Sequence, residues 1–182
     1  SGIKFKFNTR VGQKVTLQKL RDTHDTVLIA TGDYAPKDLK CPGSGADGVH
    51  AALDYLTASN RKGFGDAVAE FDVGTLDAKD KRVVVIGGGD TAMDCVRTAI
   101  RQVAKEVTCL YRRDRANMPG SQREVQNAEE EGVKFEWLAS PEAILDTKGK
   151  AKGVRAARMK LGEPDASGRQ SPVKTGETFN VK

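Results

Sequence analysis

One segment limits the fold more than any other, the run RVVVIGGGDTAMD over residues 82–94. Val83, Val84, Val85 and Ile86 are apolar and β-branched, the mark of a strand covered on both faces. Gly87, Gly88 and Gly89 stop it. Residues 90–104 then place Ala92, Met93, Val96, Ile100 and Val103 on one helical face. The alternation continues downstream. VTCLY at 107–111 reads as a second apolar strand. Residues 121–131 read as a second helix, with Ser121 as N-cap and Glu124 at the reciprocal capping-box position. Residues 133–138 read as a third strand. This β-α-β-α-β order, with right-handed crossovers, predicts a parallel sheet.

The flanks carry weaker signals. IKFKF at 3–7 alternates as a half-buried strand, and TVLIA at 26–30 reads as a buried strand ending at Thr31-Gly32. Residues 33–48 are rich in Pro and Gly and read as a loop. A helix over 49–59 would share Val49, Ala52, Leu53 and Leu56 on one face, and 60–80 is mixed. Beyond 142 the pattern becomes hairpin-like, with strands at 142–146, 152–160 and 178–181 and a polar loop over 162–177. The 182 residues suffice for about one domain and a remnant.

Composition excludes several function classes. No run of about 18 apolar residues exists, so no membrane-spanning helix is expected. A net charge of +5, from 30 Lys and Arg against 25 Asp and Glu, favours anions weakly and suggests no nucleic-acid coat. Cys41, Cys95 and Cys109 are odd in number and lack C-x-x-C spacing, which excludes a disulfide scaffold or an internal iron–sulfur cluster. Cys95 and Cys109 read as buried thiols, and His24 and His50 as structural or surface residues. No catalytic group and no metal site is expected, and the default compartment is a reducing, cytoplasmic one.

The glycine segment also carries chemistry. Gly87, Gly89 and Ala92 form G-x-G-x-x-A between a strand and a helix, the context a dinucleotide fingerprint requires. Gly87 permits the tight turn, Gly89 lets backbone approach a pyrophosphate, and Ala92 allows close helix–strand packing. Asp90 or Thr91 could cap the helix, whose first-turn amides meet phosphate charge. The bland alternative is a glycine turn with no nucleotide. At the end of the next strand, where an acid would select NAD, stand Tyr111-Arg112-Arg113 with Arg115 close behind. Guanidinium forks suit a 2′-phosphate, so NADPH is preferred over NADH. Asp114 could instead pair with a neighbouring Arg.

VVVIGGGDTAMDCVRTAIRQ, followed by VTCLYRRDRANMPGSQREVQNAEEEGVKF, resembles the family of small, NADPH-dependent subunits of bacterial glutamate synthases. More broadly it is similar to the pyridine-nucleotide-disulfide-oxidoreductase flavoproteins. The resemblance implies an α/β fold: a Rossmann-like three-layer NADPH-binding domain with a parallel sheet and an antiparallel β-meander, plus a remnant of the flanking FAD-binding domain. Its implied divisions are a partial FAD segment and connector at 1–60, a linker at 61–81 and the NADPH domain at 82–182. Gly87, Gly88, Gly89, Asp90, Thr91 and Ala92 would surround the pyrophosphate. Arg112, Arg113 and Arg115 would serve the 2′-phosphate. Ala30, Thr31 and Gly32 would lie toward FAD.

The family's first FAD fingerprint and its 4Fe–4S cysteine clusters are absent from this sequence, which therefore reads as a middle piece. In the intact protein the resemblance implies NADPH, FAD, 4Fe–4S clusters outside this chain and a glutamate synthase large subunit as partner. Alternatives are a dihydropyrimidine dehydrogenase-like or ferredoxin:NADP oxidoreductase-type electron-transfer subunit, and a non-catalytic nucleotide-binding scaffold.

Overall fold

The computed structural model describes residues 2–32, 38–166 and 168–182. Of the loop read at 33–48, residues 33–37 lie outside the described residues. The chain divides into two compact units, Ser1–Ala35 and Pro36–Lys182.

In the first unit the only described helix is α1 (Leu17–Thr23), capped by the Thr16 hydroxyl, which accepts from the Lys19 amide. Neither strand expected here forms. Residues 3–7 and 26–30 have no strand assignment, and an isolated bridge between Val11 and Val15 is the unit's described pairing. Phe5 and Phe7 stack on each other, with ring centroids 5.9 Å apart, yet both are exposed. A strand requires a partner for its backbone groups, and the described residues offer none.

The second unit is built on β1 (Arg82–Ile86), β2 (Glu106–Tyr111) and β3 (Lys134–Trp137), all parallel in the order β1-β2-β3. Helix α4 (Asp90–Arg101) crosses from β1 to β2, and α5 (Gln122–Glu130) from β2 to β3. Side chains alternate across this sheet. Val107, Cys109 and Tyr111 join Met93, Val96, Val125 and Ala128 of the helices in the main core. Leu110 and Val84 face the other way and pack on Ala139 and Ala156. Those belong to an antiparallel sheet of β4 (Ala139–Thr147), β5 (Lys150–Pro164) and β6 (Gln170–Val181). Helices, parallel sheet and meander thus form the expected three layers. The meander strands run longer than their apolar segments indicated: β5 and β6 continue through most of 162–177, where a loop was expected. Ladder hydrogen bonds carry a polar hairpin that side-chain pattern alone does not reveal.

Helix α2 (Ala52–Gly63) begins later than expected and runs past residue 60, so a division at 60 falls inside it. The short α3 (Ala69–Asp72) lies within the segment read as linker. Gln102, at the end of α4, ties these parts together. Its Oε1 accepts from Tyr55 Oη at 2.9 Å and the Ala78 amide at 3.0 Å, and its Nε2 donates to Ser59 Oγ. Residues before α2 dock on the β4–β5 turn: the Ile144 amide donates to Pro42 O, Asp47 N to Gly149 O, and Ala151 N to Asp47 O, each at 2.8 Å.

Two local expectations fail. Ser121 is the N-cap residue of α5, as expected, but its side chain makes no cap, and the reciprocal half of the box is lost because the Ser121 amide donates to Asp90 Oδ1 and the Glu124 carboxylate is engaged by Arg97 from α4. Arg97 also donates through Nε and Nη2 to Glu131 Oε1, at 2.9 and 2.8 Å. This clasp, with Arg97 bonding foremost, holds the Glu131 carboxyl below its ordinary range. Val103 is 66% exposed rather than inward-facing. It sits at φ 63°, and the Ala104 amide reaches back to Ala99 O, the helix-ending turn where glycine is usual.

Candidate nucleotide site at the glycine turn

The three glycines between β1 and α4 meet different demands. Gly87 adopts φ 150°, a backbone conformation that side chains disfavour, and its amide donates to Leu110 O. Gly88 is buried. A Cβ placed there would lie 2.4 Å from the Tyr111 ring. Gly89 is the N-cap of α4, at φ −93° and ψ 177°, values open to any residue. A Cβ at Gly89 would meet nothing within 4 Å. Neither backbone strain nor internal packing requires glycine there. Its small size leaves open space over the helix N-terminus, whose first amides lack acceptors within the helix. Ala92 is buried, 3.5 Å from an ideal Cβ at Gly87, as close packing requires.

Asp90 and Thr91 do not cap α4. Asp90 is already helical, and its Oδ1 accepts from the Ser121 amide at 3.0 Å. Thr91 is exposed. The Gly120 amide likewise donates to Gly88 O at 3.0 Å. Residues 114–121 are therefore moored to the glycine turn. Within them Asp114 Oδ1 accepts from the amide and side chain of Asn117, rather than from an Arg, and Tyr111 Oη donates to Asn117 O. This mooring was missed in the sequence, where Gly120 is one of 19 glycines with no flanking pattern.

The three arginines separate. Arg115 donates through Nη1 to both carboxylate oxygens of Glu129, at 2.9 and 2.7 Å. Arg112 is exposed. Arg113 is only 8% exposed, and its Nε has no hydrogen-bond partner. Among the described residues no acid pairs with Arg113, and a largely buried cation of this kind suits an external anion. Beneath the turn, burial pushes the Cys95 and Cys109 thiols up to about 12, so both are inert in the core. Among the described residues no group of His, Cys, Asp or Glu could hold a metal ion, and no helix is long and apolar enough to cross a membrane. Ala30, Thr31 and Gly32 lie in the other unit and are exposed.

A turn of this form, beside an arginine that no acid pairs with among the described residues, suits a phosphate-bearing nucleotide. The model of the pyridine nucleotide-disulphide oxidoreductase family matches residues 2–166. The chain belongs to the pyridine nucleotide-disulphide oxidoreductase family. Among curated relatives, the glutamate synthase [NADPH] small chain of Azospirillum brasilense is 56% identical, over 100% of this chain and 38% of its own length. That of Escherichia coli (strain K12) is 49% identical, over 93% of this chain and 36% of its own. The chain thus spans well under half of these relatives. Among solved structures, Mycobacterium tuberculosis FprA in complex with NADPH has a TM-score of 0.69 and 20% identity, covering 96% of this chain and 51% of that one. That likeness is one of fold. As a member of this oxidoreductase family the chain is an NAD(P)H-binding oxidoreductase domain, and the resemblance to glutamate synthase small chains is borne out.

Proposed function

We propose that this chain is the NADPH-binding part of a glutamate synthase small subunit, cytoplasmic and joined in the intact protein to a large subunit. The observation that carries the reading is Gly89, an N-cap whose missing side chain serves no internal need. Gly87, Gly88 and Gly89 with Asp90, Thr91 and Ala92 would seat the pyrophosphate. Arg112 and Arg113 would hold the 2′-phosphate, which would give Arg113 Nε the hydrogen-bond partner it lacks among the described residues. Arg115, committed to Glu129, would steady the loop behind them.

Bound there, NADPH supplies a hydride, which in the intact protein FAD would accept before 4Fe–4S clusters carry electrons toward glutamate synthesis from glutamine and 2-oxoglutarate. The role of this chain's residues is to bind and orient. No acid or base is needed for hydride transfer to a flavin, in keeping with the inert thiols below the turn. Ala30, Thr31 and Gly32 would lie toward the FAD. The open apolar side chains of Leu28 and Ile29 beside them support membership of a larger domain.

Trp137, the sole tryptophan, stands edge-on to Tyr111 beneath Gly88 and reports on the site. Titration by energy transfer from Trp137 to the reduced nicotinamide should show NADPH binding well above NADH. Arg112→Ala and Arg113→Ala should each weaken NADPH by about tenfold or more, with NADH nearly unchanged. Equal affinity for NADPH and NADH would remove the 2′-phosphate role.

A further inference from the structure

An acid stands at the mouth of an anion seat. Asp90 is exposed and is the first residue of α4, directly after the Gly89 N-cap. A carboxylate there gains from the positive end of the helix, but it repels a pyrophosphate arriving at the same end. Its bonding shows a different task. Asp90 Oδ1 accepts from the Ser121 amide at 3.0 Å, and Ser121 is the N-cap of α5. One residue earlier, the Gly120 amide donates to Gly88 O at 3.0 Å. The approach is close: a Cβ at Gly120 would lie 3.1 Å from Gly88 O and 3.6 Å from the Asp90 amide nitrogen. Two consecutive amides leading into α5 are thus fastened to the two residues that flank Gly89.

The other end of the turn is held as well, by the Gly87 amide on Leu110 O. A turn fixed at both ends meets its ligand without the cost of being ordered on binding. We propose that the Asp90 carboxylate is a positioning group. Through the Ser121 amide it pins the start of α5 to the start of α4 and holds the glycine turn in the shape that receives the pyrophosphate. The Asp90 amide meets the ligand; the carboxylate does not. Residues 114–121 then brace the seat as well as connect β2 to α5. This inference rests on the NADPH reading above and adds to it what keeps the seat in shape.

Calorimetric titration of the chain with NADPH, NADH and 2′-AMP tests it, with circular dichroism confirming the fold of each variant. Asp90→Ala should weaken NADPH and NADH by the same factor, about tenfold, and leave 2′-AMP, which has no pyrophosphate, unchanged. Asp90→Asn keeps an acceptor oxygen and should bind both dinucleotides at least as tightly as the unaltered chain. Ser121→Pro removes the amide hydrogen at φ −56°, an angle proline adopts, and should reproduce the loss seen in Asp90→Ala. Combining the two changes should add nothing further, since both break one bond. Undiminished NADPH binding by Asp90→Ala would overturn the proposal. So would additive losses in the double variant, or an Asp90→Asn variant as weak as Asp90→Ala. Equal weakening of 2′-AMP by Asp90→Ala would mark a merely structural role and overturn it too. If the unaltered chain bound neither NADPH nor 2′-AMP, the NADPH reading itself would fail, an outcome distinct from all of these.

Discussion

Two apolar runs in this chain look alike and end differently. Thr26–Ala30 and Val83–Ile86 are both short, both rich in β-branched and aliphatic residues, and both stop at a glycine. The second becomes β1, paired with β2 from Arg82↔Glu106 to Ile86↔Leu110, with helices on one face and the meander on the other. The first pairs with nothing among the described residues, and its Leu28 and Ile29 stand 85% and 70% exposed. Composition gives a run the capacity to be a strand. A partner in register makes it one, and for β1 that partner arrives because α4 returns the chain to its side.

The comparison breaks most directly through burial. Met93 on α4 is fully buried in the core beside β1. Met93→Ala should cost about 2–5 kcal/mol in urea unfolding. Leu28→Ala, at an exposed site, should change stability by no more than about 0.5 kcal/mol. A comparable loss at both positions would show that Leu28 is buried in solution and that the two runs do not differ.

The glycines that end β1 sharpen the contrast between packing and ligand demands. Gly88→Ala forces a Cβ into the Tyr111 ring, itself tethered through Tyr111 Oη to Asn117 O. A loss of about 1–3 kcal/mol is expected, readable as a lower urea midpoint. Gly89→Ala meets open space and should leave the midpoint nearly unchanged, while weakening NADPH about tenfold, or ~1.4 kcal/mol. If Gly89→Ala left nucleotide affinity intact, glycine there would have no explanation in ligand approach.

Much of this was legible in the sequence where the signal was local and repeated. VVVI, VTCLY and the helical spacing between them determine three parallel strands because each element's period matches its burial. The missed features depend on distant partners. Glu124 fits a capping box by spacing, but Arg97, 27 residues earlier, takes it. Arg112 and Arg113 read as an equivalent pair, yet one is exposed and the other is 8% exposed, with no acid paired to it among the described residues. That difference in burial is not visible from the dipeptide. The polar hairpin of β5 and β6 forms through backbone pairing that an apolar pattern does not encode.

The thiols below the turn give a smaller test of how dry the β1–β2 region is. Cys95 and Cys109 are pushed up to about 12 by burial, whereas an unfolded thiol titrates near 8.5. The folded state thus keeps protons that the unfolded chain releases. This contribution is intact below about pH 8.5 and is lost as pH climbs toward 12, at no more than about 1.4 kcal/mol per pH unit for each thiol. Stability of the double variant Cys95→Ala, Cys109→Ala should fall less steeply over that range than that of the unaltered chain. Parallel curves would mean that both thiols ionise freely in the fold.

The smallest effect concerns the turn that brings β2 back to β1. Val103 closes α4 at φ 63° with its side chain 66% exposed, so it gains little packing for its conformation. A left-handed conformation costs a non-glycine residue roughly 1–2 kcal/mol, and glycine adds about 0.5–1 kcal/mol of unfolded-state entropy. The first outweighs the second, leaving Val103→Gly more stable by about 0.5–1 kcal/mol, a rise of a few degrees in Tm. Val103→Ala keeps the left-handed cost and loses little packing, so its Tm should stay near that of the unaltered chain. A gain for glycine but not for alanine locates the strain in the backbone of the crossover. Equal gains would place it in the β-branched side chain, and the return of the chain to β1 would then rest on an unstrained turn.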